Sequence, residues 1–235
     1  TVRDLIHALA SQTGVTLANI WEYHAAASRT TQLTEQAQAL NQLLETRKQI
    51  ESGTPLQQAL EILAGAIHQV SQYDIVMMYV YDEQYKMIQP VALFGLEEGE
   101  SEVVREISHP WEHVTSLMQD DFRISRSYYV PHDKLDNVST LIPDFVKLAP
   151  PPVENRERSW NRGDQLLLPL FDVKNHPLGL IVVAAPRTGK VPNEANLETL
   201  ELFASEAGLV IQRNNQLEAL KGQIEQVESQ IYQTE

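Results

Sequence analysis

Apolar residues recur every three or four positions through the first fifty residues. Ile6, Leu9, Leu17 and Ile20, with Thr13 in phase, are followed by Leu33, Ala37, Leu40 and Leu44. That is the period of an amphipathic helix, and the stretch holds no proline and only one glycine, Gly14. One or two long helices are expected here, ending near Ser52-Gly53, where Gly53 suits a C-cap. Thr54 as N-cap and Pro55 in the first turn then open a second helix, whose buried stripe is Leu56, Leu60, Leu63, Ala64 and Ile67.

From Asp74 the period shortens. Residues 75–84 and 85–94 are rich in Val, Ile, Tyr and Met and flank the polar Asp82-Glu83-Gln84, which predicts a hairpin. Residues 109–119 predict a short helix with Pro110 at its start, and 125–131 a strand. Residues 164–172 and 177–186 predict a second hairpin across Val173-Lys174-Asn175-His176. Both of its strands are apolar nearly throughout, as central strands covered on two faces must be. Between Pro131 and Gly163 lies a long irregular segment with the run Pro150-Pro151-Pro152. Loops of that length in compact domains are functional lids or disordered.

The last segment opens near Pro192-Asn193 and reaches the end of the chain without another proline. Leu217, Leu220, Ile224, Val227 and Ile231 alternate spacings of three and four, the heptad pattern of a coiled-coil seam. There is also an internal echo. Leu9-Ala10-Ser11-Gln12-Thr13-Gly14-Val15-Thr16-Leu17 matches Phe203-Ala204-Ser205-Glu206-Ala207-Gly208-Leu209-Val210-Ile211 in character at each position. A glycine inside a helix costs about 1 kcal/mol against alanine, so its use in both copies points to close helix packing. Residues 1–30 are accordingly expected to be the closing helix of an upstream domain like the one ending at 213.

The order helix, hairpin, short helix, strand, long loop, hairpin, closing helix resembles the GAF family of sensor domains. Pro169-Leu170, Leu178-Gly179-Leu180 and the alternating Ala and Leu of 200–211 carry the most specific part of the resemblance. It implies an α/β (α+β) fold with a GAF-like central antiparallel sheet and flanking helices, extended by long N- and C-terminal coiled-coil helices. The implied domains are a helical linker at 1–53, a GAF-like sensor domain at 54–213 and a coiled-coil signalling helix at 214–235. The departures from the family narrow the function. Phytochrome-type members attach a bilin through cysteine and the methionine sulfoxide reductases of this fold use cysteine, whereas this chain has none. Of the cyclic-nucleotide signature, only Lys190 finds a match in the stretch 188–196.

Composition agrees with a globular chain. The chain has 235 residues, 43% hydrophobic and 21% charged, within the ordinary globular range. A formal charge of −14 without clustered Lys and Arg argues against nucleic acid. Zero cysteines fit a reducing compartment and exclude disulfides and thiolate chemistry. The longest apolar run, 178–185, is far short of the ~20 residues of a spanning helix, so no membrane insertion is expected. The first ten residues show no basic stretch followed by an apolar block, so no signal-peptide pattern is visible, and a cytoplasmic location is expected.

No nucleophile motif, phosphate-cradling glycine loop or catalytic carboxylate pair is present, so the chain reads as a non-enzyme. His109 and His113, four apart, would share a helix face, but no third ligand is fixed near them, so no metal and no cofactor is expected. Tyr128, Tyr129, Trp111 and Trp160 are candidates to line a pocket between the sheet and the 131–163 loop. Asp144, Arg156 and Arg158 on that loop are candidates to select a polar ligand. The function expected is a sensory domain that binds a small molecule non-covalently and relays the change through dimeric flanking helices. The partners are then a second copy in a parallel homodimer, an upstream GAF-like domain and a downstream output domain. The alternative is a ligand-free GAF module serving as a dimerising spacer.

Overall fold

The structure, a computed structural model, describes residues 22–23, 26–27, 29–30, 33–34, 36–51, 53–135, 141–143, 146 and 159–233. The chain divides into two compact units, Thr1–Gln42 and Leu43–Glu235. Within the first, residues 36–42 are helical, with Ala39 buried and Leu33 and Leu40 exposed. The first copy of the internal echo, residues 9–17, lies outside the described residues.

The second unit opens with helical residues 43–49 (α1) and continues into α2 (Leu56–Val70). Pro55 itself occupies the N-cap of α2, one position later than the sequence suggests, and no side chain caps the helix. Its buried stripe is Leu60, Leu63, Ala64 and Ile67, joined by Ala59 and Ala66. Strands β1 (Tyr73–Asp82) and β2 (Met87–Phe94) form the expected hairpin. Asp82 closes its turn by accepting the backbone N–H of Gln84 and Tyr85 through Oδ1 at 2.9 and 3.1 Å.

A helix that the apolar pattern leaves unmarked follows, α3 (Glu98–Arg105). It is held at its start by a reciprocal capping box between Glu97 and Glu100. The segment read as one helix over 109–119 divides in two. His109-Pro110 is a two-residue strand, β3, paired with β2, and only Trp111–Leu117 is helical (α4). His109 and His113 therefore belong to different elements. Beyond β4 (Arg123–Ile124) and β5 (Ser127–Val130) come β6 (Gln165–Phe171) and β7 (Pro177–Pro186).

All seven strands join in one antiparallel sheet of order β3-β2-β1-β7-β6-β5-β4. β1 and β7 pair at its centre, and Gly179 is needed there: a Cβ on it would lie 2.2 Å from the Tyr79 carbonyl oxygen. α2 and the closing helix α5 (Glu194–Gln233) pack against one another and against the sheet. Leu197, Leu200, Phe203, Ala207 and Ile211 of α5 are buried beneath 3% exposure, so its first half is core.

Gly208 corrects the close-packing expectation. A Cβ there would meet only Leu178 Cδ1, at an ordinary 3.9 Å, so no neighbour requires glycine at that position. α5 then continues without a break past 213, and its 40 residues span about 60 Å at 1.5 Å per residue. Leu217, Leu220, Ile224 and Val227 on its second half are 49–55% exposed, while the side chain of Ile231 lies outside the described residues.

Candidate functional site

Successive side chains on a strand point to opposite faces, so the register assigns each residue a side. The Tyr79 hydroxyl donates to the Leu141 carbonyl at 3.0 Å, which identifies its face as the one beneath the long loop. Tyr79 pairs with Leu180, Met77 with Val182 and Val182 with Leu167, so these share that loop face. Gln165 shares it too, because its Oε1 accepts the Leu141 backbone N–H at 3.3 Å. Tyr79 and Gln165 thus hold both backbone groups of one loop residue. Leu141, Ile142 and Val146 are all buried, at 1–4% exposure, and pack into the core.

His109 lies beside this contact, 9% exposed, with its ring edge-on to Tyr79 at 6.0 Å between centroids. Burial, and after it the charge of His113, lowers its pKa below the ordinary 6.5, so it is a neutral imidazole at pH 7. Burial also drives the Tyr79 hydroxyl well above the ordinary tyrosine range, leaving it a fixed hydrogen-bond donor. The loop face therefore offers one donor (Tyr79), one amide (Gln165) and one neutral imidazole (His109) in apolar surroundings. Such a set can orient a polar small molecule. Among the described residues no three histidines or carboxylates gather to hold a metal ion.

The aromatic residues singled out by the sequence do not form one site. Tyr128 pairs with Leu167 and takes the loop face, half-buried. Tyr129 pairs with Leu166 on the opposite face, the side on which neighbouring Ser127 reaches Glu201 of α5. Its hydroxyl donates to Asp164 at 2.5 Å, and burial followed by that carboxylate drives its pKa far up. Asp164, fully buried, also accepts the backbone N–H of His132 and Asn161 at 2.9 and 2.6 Å. This ties the ends of the 131–163 segment together.

Trp160 joins Tyr129, at 5.4 Å between rings, and Tyr73, at 5.7 Å. Trp111 instead packs edge-on against Tyr81 at 5.5 Å and Phe171 at 6.1 Å. Tyr73 and Tyr81 stand eight residues apart on β1, about 26 Å at 3.3 Å per residue, so the two tryptophans pack at opposite ends of that strand. Asp144, Arg156 and Arg158 lie outside the described residues.

Two polar elements escaped the apolar pattern. Tyr79 and Gln165 are polar groups inside otherwise apolar strand runs, and that interruption was their signal. Glu201 is the other. It is 7% exposed on the core side of α5, and its Oε1 accepts the Arg126 backbone N–H and the Ser127 hydroxyl, both at 2.9 Å. Oε2 accepts the Ser125 hydroxyl at 3.0 Å and Arg126 Nε at 3.2 Å. One carboxylate thereby fastens the β4–β5 turn, where Ser125 has a positive φ of 60°, to the closing helix.

No protein-family model matches the chain, and no curated protein sequence matches it. Solved structures do. The GAF domain from an Acinetobacter phosphoenolpyruvate-protein phosphotransferase is similar at 18% identity and a TM-score of 0.54, over 75% of this chain and 93% of that one. The GAF domain from the phosphoenolpyruvate-protein phosphotransferase of Coxiella burnetii gives 14% identity and a TM-score of 0.53, over 77% and 96%. A free methionine-R-sulfoxide reductase from Neisseria meningitidis, in complex with its substrate, gives 11% identity and 0.51, over 77% and 92%. Identities this low establish a common fold, and function has to be argued from the site.

Proposed function

Since the chain has the GAF fold, we propose that it is a non-enzymatic regulatory domain that relays its internal state along α5 to an output domain. The observation that carries this reading is α5 itself. One unbroken 40-residue helix is core in its first half and carries an exposed heptad stripe in its second. A shift of the domain against Phe203 or Leu200 is transmitted by a rigid rod to Leu217, Leu220, Ile224 and Val227. Exposed leucines at that spacing suit a second copy of the same helix in a parallel homodimer, each contributing about 1.5–3 kcal/mol when fully covered. The input is a small molecule bound non-covalently on the loop face, oriented by Tyr79, Gln165 and His109. It acts by preferring one packing of the helices over another.

Sedimentation equilibrium tests the relay's geometry. The full chain should be a dimer that weakens when 214–235 are deleted or Ile224 is replaced by Asp. A monomer at high micromolar concentration contradicts the reading.

A specific observation favours a second reading, a ligand-free dimerising spacer. Leu141, Ile142 and Val146 fill the described part of the loop face with apolar side chains, and Tyr79 and Gln165 are satisfied by backbone. The two readings part on whether any small molecule displaces these residues. A screen of metabolites by thermal shift decides between them, a stabilising compound competing with Leu141 for Tyr79 supporting the sensor.

A further inference from the structure

A groove of about 580 Å³ opens on the other face of the sheet, between α5, the later half of β6 and the β4–β5 hairpin. Its volume falls within the range of small-molecule sites. Leu168 and Leu170 line its floor, and their strand partners Ile181 and Gly179 alternate with the loop-face residues Leu180 and Val182. Its floor is therefore on the opposite side of the sheet from Tyr79, while Tyr128 and Pro169 at its edge belong to loop-face positions.

Three observations describe what fits. Leu168, Leu170, Phe171, Ala204 and Leu209 make a continuous apolar share of the walls beside the polar Ser205 and Gln212, and Leu209 and Phe171 are left 52% and 39% exposed. Gly208 stands in the same wall, and no neighbour requires a glycine there, so its missing side chain serves to leave the groove open. The charges are unequal in availability. Glu201 is paired with the Arg126 guanidinium and accepts from Ser125, Ser127 and the Arg126 N–H, while Asp172 keeps its charge but turns its oxygens into its own turn, accepting from Lys174 and His176 N–H and meeting the His176 ring. Arg123 gives Nε to the Ser125 carbonyl and has no carboxylate partner among the described residues. With Arg126 paired to Glu201 and the Asp172 oxygens held in their own turn, Arg123 is the guanidinium left to meet a ligand, and a largely apolar trench with that group at its rim matches an amphiphile with a single negative head.

We propose that this groove binds an apolar monocarboxylate, its chain laid along α5 between Glu201 and Gln212 and its carboxylate on Arg123. That stretch of helix is about 16 Å long, the reach of an acyl chain of middle length. Leu209 and Gln212, in the wall, immediately precede the exposed stripe that begins at Leu217, so the ligand braces α5 where it leaves the domain.

The test titrates the full chain with sodium decanoate, 1-decanol and decyltrimethylammonium, following the leucine methyl signals. Decanoate should move Leu168, Leu170 and Leu209 saturably and bind about tenfold or more tighter than either other amphiphile, the worth of one charge-assisted contact. Arg123→Gln should reduce decanoate to the level of decanol, and this side chain is exposed and, among the described residues, bonds within its own hairpin, so the variant should keep the wild-type fold. Gly208→Leu should abolish binding of all three. If that variant melts early, Gly208→Ala, for which there is room, should still weaken decanoate. Equal affinity for the three amphiphiles, an Arg123→Gln variant that binds as before, or shifts at Leu180 and Val182 in place of the groove residues would each overturn the proposal.

Discussion

Replacing Glu201 separates the shape of its contact from its charge. Glu201→Ala removes all four acceptor contacts. Ser125 and Arg126 Nε face solvent and rehydrate, but the Ser127 hydroxyl is 1% exposed and the Arg126 N–H points at the helix. Two groups at the buried side are then left unpaired, at about 1–3 kcal/mol each, reduced where the edge hairpin relaxes toward water. We expect a loss of about 2–4 kcal/mol in urea unfolding at pH 7, and about 2–4 °C in Tm for each kcal/mol in a domain this size. Glu201→Gln keeps an oxygen for the buried pair, its amide can donate to the Ser125 hydroxyl oxygen, and the exposed Arg126 guanidinium swings out to water, so it should cost less than about 1 kcal/mol.

The pH dependence adds a sign. Burial raises the Glu201 pKa, but the hydrogen bonds from Arg126, Ser127 and Ser125 together outweigh it, and the net shift is below the ordinary 4.5. A carboxylate whose folded pKa is depressed stabilises above its unfolded value and loses that contribution as pH falls through the folded one. The gap between wild type and Glu201→Ala should be constant above about pH 4.5 and close beneath it. If Glu201→Gln costs as much as Glu201→Ala, or if the alanine variant stays within about 0.5 kcal/mol of wild type, the account of this contact is wrong.

Three further outcomes follow from the same reasoning. Gly179→Ala places a methyl 2.2 Å from the Tyr79 carbonyl on the central strand pair, and should cost about 1–3 kcal/mol or more in urea unfolding. Tyr79→Phe removes the donor to Leu141 and should cost about 0.5–1.5 kcal/mol, with faster hydrogen exchange at 141–146 as its specific readout. His109, held neutral by burial, has a folded pKa beneath its ordinary 6.5. Its contribution is complete above that pH and is lost as pH falls, so the urea midpoint should drop from pH 7.5 toward 5 by less in His109→Gln than in wild type.

The large elements were legible because burial on one or two faces writes a period into the sequence. β6 and β7, covered on both sides, read as apolar runs, and α5 reads as an unbroken helical period. β3 and β4, at two residues each, are too short to carry any period, which is why His109 was read onto the helix that begins at Trp111. α3 buries only Val104, so its mark is the capping box at Glu97 and Glu100 in place of an apolar stripe.

The site was less legible because it depends on register. Tyr128 and Tyr129 are adjacent in sequence and opposed in space, and Trp111 and Trp160 belong to opposite ends of β1. Glu201 was visible in principle, as a charge one position from Leu200 in the buried phase of a helix. What it held, the β4–β5 turn, is seventy-five residues away and unreadable without the fold.

The central claim is that the loop face and the tail of α5 report to one another. Hydrogen exchange of the full chain, with and without a metabolite selected for raising its Tm, tests it in one measurement. The account expects protection to rise across 131–163 and to change across 209–232, beyond the domain core. A compound that binds and stabilises the chain while leaving both segments untouched would contradict the site and the relay together.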